Sequence, residues 1–203
     1  MSRFLKRALD VTLSGFGLIA SSPLWALIAA AIKIDSAGPV FYMQARVGEG
    51  GRTFNVLKFR SMIADAERAS GPLQAGEEDP RITRVGRALR ATAMDELPQL
   101  WNIFRGDMSF VGPRALRPEE IEVSGGMSVP LDRVPGFAER CQVPPGLTGI
   151  AQIYAPRDIT RRQKFRFDRL YIERQSFLLD LRLILLSFWI SMRGTWETRA
   201  KKF

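Results

Sequence analysis

The chain begins with a long apolar stretch and continues as a mixture of short polar and apolar runs. No charged residue occurs over residues 11–32, and this length is about what is needed to cross the hydrocarbon core of a membrane. A secretory signal would have a shorter apolar stretch followed by a small-residue cleavage site. A soluble core helix of this length rarely lacks a polar face. The pattern therefore predicts a helix that inserts into a membrane.

Two features bear on whether this helix spans the membrane. Ser22 and Pro23 lie in the middle of the stretch, and Pro23 is expected to bend the helix because it has no backbone N–H and clashes with the preceding turn. Serine hydroxyls can donate to the carbonyls that the proline leaves free. Basic residues flank the stretch on both sides, which favours placing both ends on the cytoplasmic face. We therefore favour a re-entrant helix hairpin, broken at Ser22-Pro23, over a straight span.

The remaining pattern predicts an α-rich α/β catalytic domain over residues 37–203, carried on a membrane-inserted segment over residues 1–36. Two β-rich runs, 39–47 and 53–62, flank a glycine-rich turn and predict a hairpin. The last helical run contains charged residues near its start, so an interfacial amphipathic helix or a core helix fits better than a second span. Helices are predicted over 64–70, 82–90, 96–104, 118–123, 160–175 and 177–192, and a loop over 125–135.

Composition limits the chemistry that the chain can perform. Its 203 residues include 30 Lys and Arg against 21 Asp and Glu, a formal net charge of +9, which suits nucleic acid, anionic membrane lipids or phosphorylated substrates. The chain has no histidine, so acid–base chemistry must use carboxylates, Lys or Tyr, and imidazole metal sites are excluded. Its single cysteine, Cys141, cannot form an internal disulfide, which fits a reducing compartment. Nucleic-acid binding is disfavoured because no recognition motif accompanies the charge.

Two adjacent carboxylates, Asp95 and Glu96, come directly before Leu97 and Pro98. Proline is tolerated in a first helical turn, so the sequence predicts a helix that begins here with Asp95 as its N-cap. A helix start is electropositive, so both acids are expected to stay ionised. They could hold a metal ion, or contact a phosphate through a bound metal ion. Arg90 lies just upstream and Arg114 just downstream. Acids and arginines converging on a helix start predict phosphoryl chemistry, and the alternative is a capped surface helix.

A series of long motifs runs through the chain. They are RALD at 7–10, SP at 22–23, QARVG at 44–48, KFRSM at 58–62, DPRITRVGR at 79–87, MDELPQLWN at 94–102, GDMSFVGPR at 106–114, PGLTG at 145–149, AQ at 151–152 and FDRLY at 167–171. In this order they closely resemble the bacterial sugar transferase family, the monotopic phosphoglycosyl transferases that start bacterial glycan assembly. The resemblance covers nearly the whole chain, and its short length matches members without an extra transmembrane bundle.

The resemblance implies an enzyme that transfers a phosphosugar from a UDP-sugar to polyprenyl (undecaprenyl) phosphate, releasing UMP. It implies a ping-pong reaction in which Asp95 is the nucleophile and carries a phosphosugar intermediate. Mg²⁺ is the implied cofactor, held by Asp95 and Glu96. The implied location is the bacterial inner membrane, with the catalytic domain facing the cytoplasm, at the first membrane step of exopolysaccharide, capsule, O-antigen or glycoprotein glycan assembly.

The substrates bring several negative charges together, so cations are expected around the dyad. Lys58, Arg90 and Arg114 occupy matching motif positions and are the expected phosphate ligands. Asp168 lies in another matching segment and is expected to be a further acid of the site. The alternative for each of the cations is a solvated or structural ion pair.

The chain departs from the family pattern at three positions. Pro144 stands where a basic residue is common, so a phosphate contact there is missing or is supplied by Arg140 or Arg157. Ile150 replaces a frequent aromatic residue, and Ala93 replaces a usual serine before the dyad. None of these substitutions removes the dyad.

A non-catalytic, membrane-anchored scaffold of the same fold is the second functional hypothesis. It would use the basic surface to bind anionic lipids, but retention of Asp95 and Glu96 argues against it. The sequence is compatible with a homodimer and does not distinguish between UDP-sugars or glycan pathways.

Overall fold

Helices and short strands make up the part of the chain that the computed structural model describes, residues 2–64, 66, 79–124, 127–156 and 159–193. The helices are α1 (Arg3–Asp35), α2 (Arg84–Ala91), α3 (Gln99–Arg105), α4 (Phe137–Arg140), α5 (Ile150–Tyr154), α6 (Arg161–Arg174) and α7 (Phe177–Met192). The strands are β1 (Phe41–Val47), β2 (Thr53–Phe59), β3 (Ser109–Val111), β4 (Ile121–Ser124), β5 (Met127–Pro130) and β6 (Gly146–Thr148). The α-rich α/β prediction is confirmed.

The strands form three two-stranded sheets. Antiparallel β1–β2 is the predicted hairpin, paired from Phe41 with Phe59 to Val47 with Thr53. The pair β4–β5 is also antiparallel, whereas β3 and β6 are parallel. Parallel strands need a long connection, so the short β3–β6 pair brings two segments far apart in sequence side by side.

Helix α1 carries a buried polar face at its beginning. Lys6, Asp10 and Ser14 follow one another at four-residue spacing and are all buried. The Lys6 Nζ donates to Asp180 Oδ2 at 2.7 Å, to the Tyr171 hydroxyl at 3.0 Å and to a β3 carbonyl at 2.9 Å. The start of α1 is therefore joined to α6, α7 and β3.

The end of α1 contacts the same domain at another place. Ile28 and Ile32 are buried against Phe59 of β2 and Leu89 of α2. The Asp35 carboxylate accepts a hydrogen bond from the backbone N–H of residue 85 in the first turn of α2, at 2.9 Å. Both ends of the 33-residue helix thus pack on one domain.

Pro23 lies inside α1, which is helical without interruption from Arg3 to Asp35, so the structure shows no break at Ser22-Pro23 and the re-entrant hairpin stays a prediction. Its missing N–H would have bonded the Ile19 carbonyl, and the Ser22 hydroxyl donates to that carbonyl at 2.8 Å. The Ser21 hydroxyl donates to the Gly17 carbonyl at 2.6 Å. The prediction that a serine satisfies the carbonyl freed by the proline is confirmed for Ser22, whereas Ser21 bonds the carbonyl four residues before itself.

Apolar side chains remain exposed on the outer surface of α1 and α7. Among the described residues, α1 is the one helix that is long and apolar enough to cross a membrane, by length and composition. Its exposed side chains include Phe16, Ile19 and Leu27, and α7 exposes Leu185 and Phe188. Such patches mark membrane or protein contact surfaces.

Several sequence predictions need correction. The predicted helix over 118–123 is a turn followed by strand β4, and the predicted loop over 125–135 contains β5 and a 3₁₀ turn, Leu131–Arg133. Each run is too short for an alternation of polar and apolar residues to be recognised, and the two strands are stabilised by pairing with each other.

The helix predicted from residue 96 begins at Gln99. Most of the helix predicted over 64–70 lies outside the described residues. Helices α6 and α7 match their predictions, with Thr160 and Ser176 as N-caps.

Candidate active site

The acidic dyad lies on a 3₁₀ turn, Met94–Glu96, between α2 and α3. Pro98 is the N-cap of α3, so the prediction that Asp95 caps this helix is wrong. Ala93 has left-handed backbone angles, with φ of 56°, and redirects the chain directly before the turn. The N–H of Glu96 then bonds the Ala93 carbonyl at 3.1 Å. A left-handed alanine costs about 1–2 kcal/mol, and such strain is typical of functional sites.

Glu96 projects into a cleft lined with cations. Its Oε1 lies 2.5 Å from the Lys58 Nζ and 3.9 Å from the Arg114 Nη2. Lys58 comes from β2 and Arg114 follows β3, so three separate elements bring these charges together. Lys58 and Arg114, both expected from the sequence, therefore lie beside the dyad. Asp95 is half-buried on the same turn.

The cations keep Glu96 ionised. Burial opposes ionisation, but the nearby charges of Lys58 and Arg114 outweigh it and lower the pKa of Glu96 to about 2. The carboxylate is therefore charged at neutral pH and acts as an internal counter-ion for the cleft.

Arg46 is a site residue that sequence reasoning missed. It lies on β1 and lines the cleft together with Lys58, Glu96 and Arg114. Burial, with the neighbouring Arg114 and Arg117, lowers the pKa of Arg46 to about 10. The guanidinium remains protonated at neutral pH and adds a third cation to the lining. Its position within the QARVG motif was the available signal, but the motif alone did not show where the side chain points.

A row of side chains on β1 orients Arg46. Tyr42, Gln44 and Arg46 alternate along the strand and so lie on one face. The Gln44 amide donates to the Tyr42 hydroxyl at 3.0 Å, and its oxygen accepts from Arg46 Nη2. Arg46 Nη1 donates to the Ala115 carbonyl at 3.0 Å. The guanidinium is therefore held in a fixed orientation.

Gln99 is a second residue that sequence reasoning missed. It begins α3, lines the cleft and is only 4 % exposed. Its Nε2 has no hydrogen-bond partner within the described part of the chain. No sequence pattern distinguishes such a donor from an ordinary helix residue.

The backbone that carries Arg114 runs unusually close to β6. A Cβ added to Gly146 would lie 2.0 Å from the Gly112 nitrogen, and one added to Gly112 would lie 2.5 Å from the Pro144 carbonyl. Arg114 itself forms a parallel bridge with Gly146. These glycines allow the close approach that places Arg114 at the cleft.

Asp168 lies behind the cleft in a buried ion pair. Its Oδ2 accepts from Arg140 Nε at 2.9 Å, and Arg140 Nη2 donates to the Arg114 carbonyl at 2.5 Å. Burial raises the pKa of Asp168 against the opposing charge of Arg140. Asp168 is not among the cleft-lining residues, and Arg140, which is committed to these contacts, is not placed to bind a substrate phosphate. Arg157 lies outside the described residues.

Arg90 lies in the last turn of α2, apart from the lining of the cleft. Asp79 is close enough for the charge of Arg90 to contribute to its low pKa of about 2, although the largest cause is hydrogen bonding from Arg81. The fold thus brings together three of the expected site residues, Lys58, Glu96 and Arg114. Arg90 instead lies near the Asp79–Arg81 pair.

The carboxylates of Asp95 and Glu96 suit a metal ion that binds together with the phosphates of a substrate. Within the described ranges, no three Asp, Glu or Cys side chains converge to hold a metal ion. Mg²⁺ typically takes one or two carboxylates and completes its shell with water and substrate phosphates. Asp95 and Glu96 fit this donor set, although Lys58 already holds one oxygen of Glu96.

Comparison with known proteins places the chain among sugar transferases. The family model described as "Bacterial sugar transferase" matches residues 1–194. The chain is 43% identical over 187 residues to an undecaprenyl-phosphate glucose phosphotransferase of Komagataeibacter xylinus, covering 90% of this chain and 35% of that protein. It is 43% identical to a UDP-glucose:undecaprenyl-phosphate glucose-1-phosphate transferase of Caulobacter vibrioides, covering 89% of this chain and 67% of that protein. It is 38% identical to the exopolysaccharide production protein ExoY of Sinorhizobium fredii, covering 88% of this chain and 81% of that protein. The chain thus spans about a third of the Komagataeibacter protein.

Proposed function

The chain belongs to the bacterial sugar transferase family, and we propose that it transfers a phosphosugar from a UDP-sugar to undecaprenyl phosphate. The observation that carries this proposal is the cleft in which Lys58 and Arg114 surround Glu96, next to Asp95. Relatives that match about nine-tenths of the chain are named as undecaprenyl-phosphate sugar phosphotransferases, which supports the same substrate classes. The products are UMP and an undecaprenyl-diphosphate sugar, at the first membrane step of exopolysaccharide or related glycan assembly.

The reaction we propose proceeds in two displacements at one phosphorus atom. A carboxylate oxygen of Asp95 forms a bond to the β-phosphorus of the UDP-sugar while the bond to the bridging oxygen breaks, and UMP leaves. An oxygen of undecaprenyl phosphate then bonds to the same phosphorus and releases the Asp95 carboxylate. Lys58 and Arg114 stabilise the charge on the phosphoryl oxygens. Glu96 keeps both cations in place between turnovers.

Magnesium is part of the proposal as a cofactor that binds with the nucleotide. Asp95 and Glu96 are the residues that would hold it. When bound, it would neutralise charge on the diphosphate. Binding through Glu96 requires that carboxylate to share its charge with Lys58, which lies 2.5 Å away.

We also propose that α1 enters the cytoplasmic leaflet of the inner membrane, bends at Pro23 and returns to the same face. Lys6, near its start, and Asp35, at its end, both bond to the same domain. A spanning helix would place its two ends on opposite sides of a hydrocarbon core of about 30 Å, so the contacts of both ends with one domain favour the same-face arrangement. The exposed apolar side chains of α7 would lie at the same interface, and the net charge of +9 favours anionic lipids.

The experiment that tests the function measures transfer and the covalent intermediate separately. Purified protein in detergent is given undecaprenyl phosphate, Mg²⁺ and either UDP-glucose or UDP-N-acetylgalactosamine, and UMP release and lipid product are followed. Incubation with the accepted UDP-sugar alone should add the mass of a phosphosugar to Asp95. Asp95→Asn should lose turnover and labelling while keeping its membrane association. Near-normal UMP release by this variant, in a preparation free of deamidated protein, would rule out Asp95 as the nucleophile. If wild type transferred no phosphosugar from any member of a broad UDP-sugar panel, the result would favour the non-catalytic, membrane-anchored scaffold.

A further inference from the structure

A buried donor at the cleft has no acceptor among the residues that the structure describes. Gln99 is 4 % exposed, and its Nε2 has no partner in the described part of the chain. It lines the same cleft as Lys58, Glu96 and Arg114. Buried amide donors are nearly always satisfied, so this one indicates a partner that arrives with a ligand.

Arg46 adds an oriented cation to the same lining. Its guanidinium donates to Gln44 and to the Ala115 carbonyl, and neither acceptor carries a charge. In the described ranges no carboxylate forms a direct ion pair with it. The cations of the lining are Arg46, Lys58 and Arg114, against one carboxylate, Glu96. The lining therefore carries two positive charges in excess.

We propose that Arg46 and Gln99 bind phosphate oxygens of the nucleotide diphosphate, an inference that rests on the proposed function. Both side chains offer donors, and a phosphate oxygen is an acceptor that also carries charge. A sugar hydroxyl or a uracil carbonyl would satisfy Gln99 but would leave the excess charge uncompensated. The diphosphate of a UDP-sugar carries about two negative charges, which matches the excess of the lining, and Asp95 would approach the phosphorus from the adjacent turn.

The first test measures nucleotide binding without turnover. The full chain in detergent is titrated with UDP by calorimetry, and wild type is compared with Arg46→Gln and Gln99→Met. Each variant should bind UDP about tenfold or more weakly, because a hydrogen bond to a charged group is lost. Arg52→Gln and Gln142→Met change equivalent groups at exposed positions and should bind within about twofold of wild type.

A second measurement separates ligand binding from a structural role. Gln99→Met removes a buried donor that has no partner among the described residues, so its melting temperature should equal or exceed that of wild type. A parallel fall in melting temperature and UDP affinity would show that Gln99 supports the fold, and would overturn its assignment as a ligand. Arg46→Lys, which keeps the charge but loses the planar donors, should recover part of the affinity.

The lipid substrate also carries a phosphate, so the titration is repeated with farnesyl phosphate. Weaker binding of farnesyl phosphate together with unchanged UDP affinity in both variants would assign the position to the lipid and overturn the proposal. UDP affinities indistinguishable from the Arg52→Gln and Gln142→Met controls would overturn it as well. These outcomes are distinct from a failure of the proposed function, in which wild type binds UDP but transfers no phosphosugar.

Discussion

Arg140 and Asp168 form a buried ion pair that holds the segment carrying Arg114. Arg140 Nε lies 2.9 Å from Asp168 Oδ2, and the Nη2 of the same guanidinium donates to the Arg114 carbonyl. Both side chains of the pair are about 5 % exposed or less. The carboxylate of Asp168, expected from the sequence to be a site acid, is thus linked to the Arg114 segment through Arg140.

Breaking this pair should destabilise the fold more than breaking a surface pair. Asp168→Asn leaves Arg140 buried without a counter-ion, which costs about 3–5 kcal/mol. Glu173→Gln on the same helix breaks the exposed pair with Arg169 and should cost less than about 0.5 kcal/mol. Denaturant unfolding in detergent measures both. Equal losses of stability would mean that the buried pair contributes no more than its surface counterpart.

The low pKa of Glu96 predicts a stability change at acidic pH. The folded pKa is about 2, against 4.5 for the free side chain, so the unfolded chain takes up a proton first as the pH falls. Stabilisation from Glu96 is complete above about pH 5 and is lost between about pH 4.5 and pH 2, by at most about 3 kcal/mol. Thermal melts of wild type and Glu96→Gln across this window measure it. The difference between their stabilities should shrink as the pH falls, and a difference independent of pH would contradict the prediction.

The last two helices of the fold, α6 and α7, were predictable because their signals are local. Helices α6 and α7 occupy the runs 160–175 and 177–192 that the sequence predicts, and the structure gives them Thr160 and Ser176 as N-caps. The dyad was likewise visible as a motif. Each of these features depends on residues that are neighbours in the chain.

The composition of the cleft was not predictable, because it depends on residues that folding brings together. Arg46 and Gln99 are 53 positions apart, and nothing in either segment indicates that they line one cavity. The N-cap prediction for Asp95 failed because the left-handed Ala93 inserts a 3₁₀ turn before α3. Alanine rarely takes this conformation, so the residue type gave no warning.

The close approach of β3 and β6 predicts that Gly146 cannot be replaced by a residue with a side chain. Gly146→Ala would place a Cβ 2.0 Å from the Gly112 nitrogen, so β3 and β6 must separate and Arg114 must move from the cleft. We expect a loss of about 2 kcal/mol or more and a large loss of transfer activity. Gly15→Ala on α1 meets only Phe104 at 3.4 Å and should be neutral or stabilising. Wild-type melting and activity for Gly146→Ala would show that the approach is not required.

Magnesium binding should depend on the nucleotide. Two neighbouring carboxylates, one of them held by Lys58, are a poor Mg²⁺ site until substrate phosphates complete the shell. Calorimetry with Mg²⁺ alone should therefore show no binding in the low millimolar range, and chelation should abolish transfer until Mg²⁺ or Mn²⁺ is restored. Full transfer in excess chelator would exclude a metal requirement, and tight Mg²⁺ binding without nucleotide would indicate a preformed site.

The contacts at both ends of α1 predict that Ser2 lies on the cytoplasmic side. Lys6 is bonded to Asp180 and Asp35 to the start of α2, so the two ends remain with the catalytic domain. In a Cys141→Ser background, Ser2→Cys should resist a membrane-impermeant maleimide in intact spheroplasts and react once the membrane is opened. Arg52→Cys, at an exposed turn of the same domain, provides the matched control and should respond in the same way. Labelling of Ser2→Cys but not of Arg52→Cys in intact spheroplasts would place the two on opposite faces, and α1 would then have to cross the membrane and give up the Lys6–Asp180 bond.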